Sequence, residues 1–396
     1  MAVQQTLRPY VTAGIAIVGS GLIAATPVAT PLASGATVRD VALTAGDTLP
    51  DLMAPWTAVF NEASQNATTL LQNYYLAPNV GFQQMLANQT QFWQEILDDP
   101  SKIPAVMQQM QANLDAVLTG YTLQNASGGV SLNGFEGVIG TVASHTISGT
   151  DLTTLAFGHD LLFGLLPQFL PADISSFATP IVDFLASPLS GIIIGSLGPS
   201  IAPWVAMMNS IQDGDSFNQV MASWMNGFLN GATLNLDSLL PLIAQTGLLP
   251  AGTEITHLDF ALGGLLTPGT VAVGPYGVDL PDGSTTDVSA VGGSIFNSLG
   301  ITLTASLLPG VPISIESQAV GPIAAMEAWG QTVGALLGSG WTGKGPVDVG
   351  PPWPGIDFPT VPDGLFDDGG AGSGAASDAL AGLDLGDIAN ALLGIS

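Results

Sequence analysis

Across 396 residues, four Lys and Arg stand against 31 Asp and Glu, and only 9% of the side chains are charged. Soluble domains usually carry about a quarter charged residues. The cation shortage excludes a nucleic-acid binder and a protein held on anionic lipid by a basic patch, since both need clustered Lys and Arg. The length suffices for one or two sizeable cores, and the absence of cysteine removes disulfides, thiolate metal sites and Cys nucleophiles.

In chain order, Arg8 is the only charge before Arg39, and an apolar run from Val11 to Ala25 follows it. Ser34 and Ala36 supply small residues at the −3 and −1 positions of a cleavage site. Residues 1–36 therefore have the pattern of a secretory signal, with an uncleaved N-terminal anchor as the alternative. Cleavage there removes one cation and no acid, which makes the formal charge more negative than −27.

Residues 37–124 are expected to be helical. Leu52, Trp56, Val59, Phe60, Ala63, Leu70, Leu71 and Tyr74 fit one face of a 3.6-residue period. Phe82 to Leu97 fits a second helix and Ile103 to Leu118 a third. Ala77-Pro78-Asn79 and Asp98-Asp99-Pro100-Ser101 separate them, and Gly120 is expected to close the third. The opposite faces carry Gln, Asn and Thr, an uncharged polar surface. Residues 125–160 are Gly, Ser and Thr rich and suggest a loop with short strands.

Residues 161–251 return to helical spacing, broken by Pro at 167, 171, 180, 188, 199 and 203. Within them Phe184 to Gln212 holds no charge. Gly191-Ile-Ile-Ile-Gly195 has the small-xxx-small spacing that lets helices approach closely in lipid, or serves close packing in an ordinary core. Residues 252–344 are β-prone and loop-rich. Val271-Ala-Val-Gly and Ile301-Thr-Leu-Thr-Ala suggest strands, Pro281-Asp-Gly-Ser284 a turn, and Gly321 to Gly338 one helix. Residues 345–377 are a Pro-rich, then Gly-rich linker. Residues 378–396 end the chain with an amphipathic helix through Leu380, Leu383, Ile388 and Leu392.

The fold class expected is mainly α, with a smaller β and loop-rich C-terminal region, an α+β arrangement. There is no transmembrane β-barrel signature, because alternating segments of about ten residues with aromatic girdles are missing. Beyond the signal no unbroken run of about 20 apolar residues occurs. Arg39, Lys102 and Lys344 give no positive-inside bias.

Little catalytic chemistry is visible. His145, His159 and His257 share no metal-ligand spacing, and no HExxH occurs. His159-Asp160 at a helix start offers either an acid/base pair or a cap beside a buried imidazole. No Gly-x-Ser-x-Gly elbow, P-loop or dinucleotide fingerprint is present. Asp279, Asp282 and Asp287 crowd one turn, as a calcium site or a solvated acidic loop, at spacing unlike an EF-hand. A cationic clamp for phosphate or carboxylate substrates is missing. No catalytic, cofactor or metal residue is expected, and no enzyme.

Several blocks are more specific. The leader Leu7-Arg-Pro-Tyr-Val-Thr-Ala-Gly14 is followed later by Phe184-Leu-Ala-Ser-Pro-Leu-Ser-Gly191 and Phe228-Leu-Asn-Gly-Ala-Thr-Leu-Asn-Leu236. Gly292-Gly-Ser-Ile-Phe-Asn-Ser-Leu-Gly300 and Ala319-Val-Gly-Pro-Ile-Ala324 complete the set. With these blocks the chain resembles the GjpA-type outer membrane porins of mycolic-acid-bearing actinobacteria, over nearly its whole length. The resemblance implies export to the cell envelope, contact with outer-membrane lipids, a possible homo-oligomer and a channel for small hydrophilic solutes. The acidic balance adds a preference for cations in such a channel. The alternative is an exported, non-catalytic envelope protein that binds lipid or protein partners.

Overall fold

The computed structural model describes residues 49–76, 78–131, 134–154, 156–169, 172–245, 252–273, 276–279, 285–305 and 312–338. The expected signal, the linker, the C-terminal helix and the Pro281–Ser284 turn lie outside these residues. The chain divides into Met1–Ala54 and Pro55–Ser396, and the architecture below is that of the larger unit.

The protein is mainly helical with a smaller sheet region. Helices α1 (Leu49–Leu76), α2 (Val80–Asp98) and α3 (Ile103–Thr122) form where the apolar spacing places them. Val59, Ala63, Leu70 and Val106 of the expected faces are buried, but Phe60, Leu71, Phe82, Met85, Trp93, Leu114 and Leu118 are exposed. Asp99 turns the chain between α2 and α3, its side chain accepting from the Ser101 amide at 3.0 Å at the start of a 3-10 turn. Then come a hairpin of β1 (Gly129–Ser131) and β2 (Gly134–Glu136), and α4 (Gly137–Thr146). Next are α5 (His159–Phe169), α6 (Ala172–Leu185), α7 (Pro188–Gln212) and α8 (Phe217–Leu229). After them lie β3 (Ala232–Asn235), α9 (Leu240–Gln245) and β4 (Thr253–Leu262). The last elements are β5 (Tyr276–Asp279), β6 (Thr285–Val288), β7 (Leu299–Ala305), β8 (Ile313–Ile315) and α10 (Pro322–Leu336).

The main sheet is antiparallel, in the order β3-β4-β7-β8. Ala232 faces Leu262, Phe260 faces Leu299 and Ile301 faces Ile315, with an irregularity between Ile255 and His257. β1-β2 and β5-β6 are separate two-stranded ribbons. The main sheet is open, with β3 and β8 as its edges, and the described strands form no closed barrel.

Three local differences from the sequence reading have physical causes. Gly120 does not end α3. It lies inside the helix, where a β-carbon would come 2.8 Å from Leu336 Cδ1, and the helix ends instead at the left-handed Leu123. Val271-Ala-Val is not a strand. Its amides are spent on the end of α4, with Ala272 donating to the Ile147 carbonyl at 2.8 Å and Val273 to Ser144 at 3.1 Å. That contact satisfies carbonyls that a helix terminus leaves open. The segment 125–160, expected as a loop with short strands, has the strands β1 and β2 but also the helix α4, whose Val142 and Ala143 are fully buried.

Two apolar clusters form the core. One joins Leu70, Ile194, Ala202, Leu262, Val291, Val320 and Ala324. The other joins Leu123, Val142, Ile147, Phe163, Ala186 and Phe296. Amides do the polar work inside the protein. Gln331 Nε2 on α10 donates to Asn73 Oδ1 at 2.6 Å, and Asn73 Nδ2 donates to the Ser289 carbonyl at 2.8 Å. Asn297 takes the Ser148 amide at 2.7 Å and donates to Thr270 at 2.9 Å. A satisfied neutral pair avoids the desolvation cost of a buried ion pair, which suits a chain so poor in cations.

Candidate functional site

The feature that departs most from an ordinary soluble fold is α7. Ser187 caps it, accepting from the Ser190 amide at 3.2 Å, and Pro188 occupies the first turn, where its missing N–H costs nothing. The helix runs to Gln212 without one charged residue, and it continues through Pro199 and Pro203 as α6 does through Pro180, where the sequence pattern suggested breaks. By length and composition it is the only described helix suited to cross a membrane.

Its inner face is built from small residues. Gly191, Gly195, Gly198 and Ala202 lie one turn apart and are buried. A β-carbon at Gly191 would run into the Gly293 carbonyl, and one at Gly198 into the Gly263 carbonyl. One at Gly195 would sit 2.9 Å from the Gly321 carbonyl. Three loop backbones therefore press directly on the helix. The Ser190 hydroxyl fixes one of them, accepting from the Ile295 amide at 3.2 Å. The Gly191–Gly195 spacing is thus used for packing within this chain.

The outer face is the reverse in size. Ile193, Leu197, Ile201, Trp204, Met208 and Ile211 are all exposed, from 37% at Ile193 to 58% at Trp204. At about 100° per residue these six fall within an arc of roughly 80°, opposite the glycines. From Ile193 to Ile211 the stripe is about 27 Å long at 1.5 Å per residue. Neighbouring helices add exposed Phe177 and Ile181 on α6, and Phe217 and Met221 on α8. Isolated exposed apolar residues are ordinary; a contiguous uncharged stripe marks an interaction surface.

The residues with chemical potential lie elsewhere. His159 is fully buried beside Phe296, and its Nε2–H donates to the Leu299 carbonyl at 2.7 Å. That bond leaves Nδ1 to accept from the Ser148 hydroxyl at 2.8 Å. Asp160 is engaged with Thr150, accepting from its amide at 3.0 Å and its hydroxyl at 2.5 Å. The His159-Asp160 pair is therefore a core imidazole next to a loop-fixing carboxylate. His145 is buried too, its Nδ1 donating to the Thr141 carbonyl at 2.9 Å. Burial holds both imidazoles below the ordinary His range, against the opposing effect of those carbonyls. His257 lies outside the core between Asp237 at 2.9 Å and Asp259 at 3.2 Å, and the Asp237 contact chiefly raises its pKa. Asp279 and Asp287 lie on paired strands β5 and β6, while Asp282 is outside the described residues. No group of three candidate metal ligands occurs among the described residues.

Two acids are unusual. Glu327 on α10 has a buried Oε1 with no hydrogen-bond partner, and burial pushes its carboxyl up to about 8. Asp183, half-buried on α6, is pushed up to about 6 by the same cause. A carboxyl with a raised pKa stays protonated in the native chain while the unfolded chain ionises, so stability falls as pH rises through that window. The buried imidazoles act in the opposite sense below about pH 6.5. Comparison with Glu327→Gln cancels them. Between pH 6.5 and 8 the native chain is expected to lose about 1.5 kcal/mol relative to that variant, measured by urea unfolding. Parallel stability curves for the two proteins would contradict this.

No family model, curated protein or solved structure matches the chain.

Proposed function

We propose that this protein is an exported, non-catalytic envelope protein that lies on an apolar lipid layer through the outer stripe of α7. The observation that carries the reading is the six-residue stripe from Ile193 to Ile211, large, exposed and uncharged. A protein interface of this length would be rimmed by polar and charged groups. Here the helix carries no charged group, and its exposed polar residues are limited to Ser196, Ser200, Asn209 and Gln212. The geometry matches a helix lying in the membrane interface, whose apolar face sinks about 5–10 Å below the headgroups. Spanning is disfavoured because it would strip the glycine face from the three loops that cover it. The net charge of −27 favours neutral or zwitterionic lipid over anionic lipid. The signal pattern of residues 1–36 and the resemblance noted above support the envelope address.

The test is flotation of the purified protein with phosphatidylcholine vesicles. Co-flotation is expected, and it should survive about 1 M salt, where surface electrostatics are screened within about 3 Å. Protein left at the bottom of the gradient would overturn the reading.

The resemblance favours a second reading, a cation-preferring channel for small hydrophilic solutes. With no closed barrel among the described strands, such a pore would have to assemble from several copies. A planar bilayer separates the two. The lipid-lying protein gives no stepwise conductance. Steps selecting potassium over chloride, strongest at low salt, would establish the channel instead.

A further inference from the structure

A second surface lies on α2 and α3, with none of its residues on α7. The two helices diverge from the Asp99 turn and enclose, with the end of α10, a groove of about 430 Å³. This is within the size range of small-molecule sites, roughly 300–1,000 Å³. Its lining is unusual in chemistry. Asn88, Gln91, Gln109 and Asn113 contribute carboxamides, Glu95 one carboxylate, and Phe92 an aromatic ring. No Lys or Arg lines it.

The amides are held in place. Asn88 Nδ2 donates to the Leu337 carbonyl at 2.8 Å and its Oδ1 accepts from Gln84 at 2.7 Å, which ties α2 to the end of α10. Gln91 Nε2 donates to Glu95 Oε1 at 3.1 Å, and Gln109 Nε2 to Asn113 Oδ1 at 2.9 Å. Each of these two bonds uses one end of an amide. Gln91 Oε1, Gln109 Oε1 and Asn113 Nδ2 keep their opposite polarity for a ligand. Residues one turn apart on a helix stand about 5–6 Å from one another, so the groove offers spaced donors and acceptors beside one ring.

We propose that this groove binds a neutral saccharide, a mono- or disaccharide unit. A sugar hydroxyl both donates and accepts, so it can donate to Gln91 Oε1 or Gln109 Oε1 and accept from Asn113 Nδ2. A pyranose also presents a C–H face that lies against an aromatic ring such as Phe92. Other ligand classes fit less well. A phosphate or carboxylate would meet Glu95 and no cation. An apolar ligand would desolvate Gln91 Oε1, Gln109 Oε1 and Asn113 Nδ2 without pairing them. A peptide would be cut short, because Asn88 to Glu95 spans about 10 Å, room for about three extended residues.

The test is saturation-transfer NMR and calorimetry on the purified full chain, with glucose and maltose as probes and glucose 6-phosphate and triglycine as competitors in class. Saturation of the sugar protons is expected, with a dissociation constant on the order of 1 mM or tighter. Gln91→Ala and Asn113→Ala, both of surface helical positions, should weaken it at least about tenfold while circular dichroism stays unchanged. Phe92→Leu keeps an apolar contact and should remove the ring-current shift of the bound sugar. Absence of saturation transfer from the folded protein, equal binding by all three variants, or tighter binding of glucose 6-phosphate or triglycine would each overturn the proposal.

Discussion

Leu197→Asp combined with Trp204→Asp is expected to release the protein from phosphatidylcholine vesicles at least about a hundredfold, with its fold unchanged. Both side chains are at least half exposed and belong to neither core cluster. Surface changes of this kind usually alter stability by less than about 0.5 kcal/mol. Their effect on lipid binding is larger for two reasons. Apolar area that would leave water is lost, and two carboxylates are set against the acyl boundary. A control carries the same added charge elsewhere: Gln108→Asp with Gln111→Asp on the exposed side of α3. It should float like the native chain. Equal flotation of both double variants would show that the α7 stripe does not hold the protein on lipid.

The second large effect concerns the other face of the same helix. Gly198→Val is expected to destabilise by about 3 kcal/mol or more, because the added carbons meet the Gly263 backbone, which cannot swing aside as a side chain can. Overpacking of a movable site costs about 1–3 kcal/mol. Adding Gly191→Val, against the Gly293 carbonyl, should leave little native protein, since total stability is about 5–15 kcal/mol. Gly330→Ala on α10 is the counterpart. A β-carbon there meets nothing within 4 Å, so the helix gains about 0.5–1 kcal/mol from the less flexible residue. Thermal unfolding of the three variants checks the ordering. A tolerated Gly198→Val would mean that α7 is not seated on those loops.

The four internal blocks that carry the porin resemblance converge on this seat. Ser187 and Gly191 begin α7, and the Phe296 amide donates to the Leu185 carbonyl at 2.9 Å. Leu265 donates to the Phe228 carbonyl at 2.8 Å, and Gly321 presses on Gly195. The blocks describe how α7 is held, and they form the inner wall of the proposed lipid-facing element.

Much of this was legible in the sequence where polarity alternates with structure. The helices α1 to α3 were visible because Gln and Asn faces contrast with Leu, Phe and Val. β7 and α10 were visible from β-branched composition and from the turn glycines around them. The helix α4 was not, since Gly137-Val-Ile-Gly-Thr-Val-Ala-Ser-His-Thr146 is poor in helix formers and is held by burial against Phe163 and Phe296. The two-faced character of α7 was hidden for another reason. Both faces are uncharged and mostly apolar, so a hydrophobic period cannot separate them. Size separates them: Gly191, Gly195, Gly198 and Ala202 recur on one side, Leu197, Ile201, Trp204 and Met208 on the other. Likewise the amide-rich face of α2 and α3 was evident, but its closure into a groove depends on the Asn88 bond to Leu337, far along the chain.

Spin labels placed one at a time from Ile193 to Ile211, on protein bound to phosphatidylcholine vesicles, test the central claim most directly. Relative access to dissolved oxygen and to a water-soluble nickel complex reports depth at each position. The account predicts lipid-depth signals at Leu197, Ile201, Trp204 and Met208, with a 3.6-residue period and a depth of about 5–10 Å. Labels that remain in water at all four positions would contradict it, as would a gradient of depth along the helix that crosses the bilayer centre.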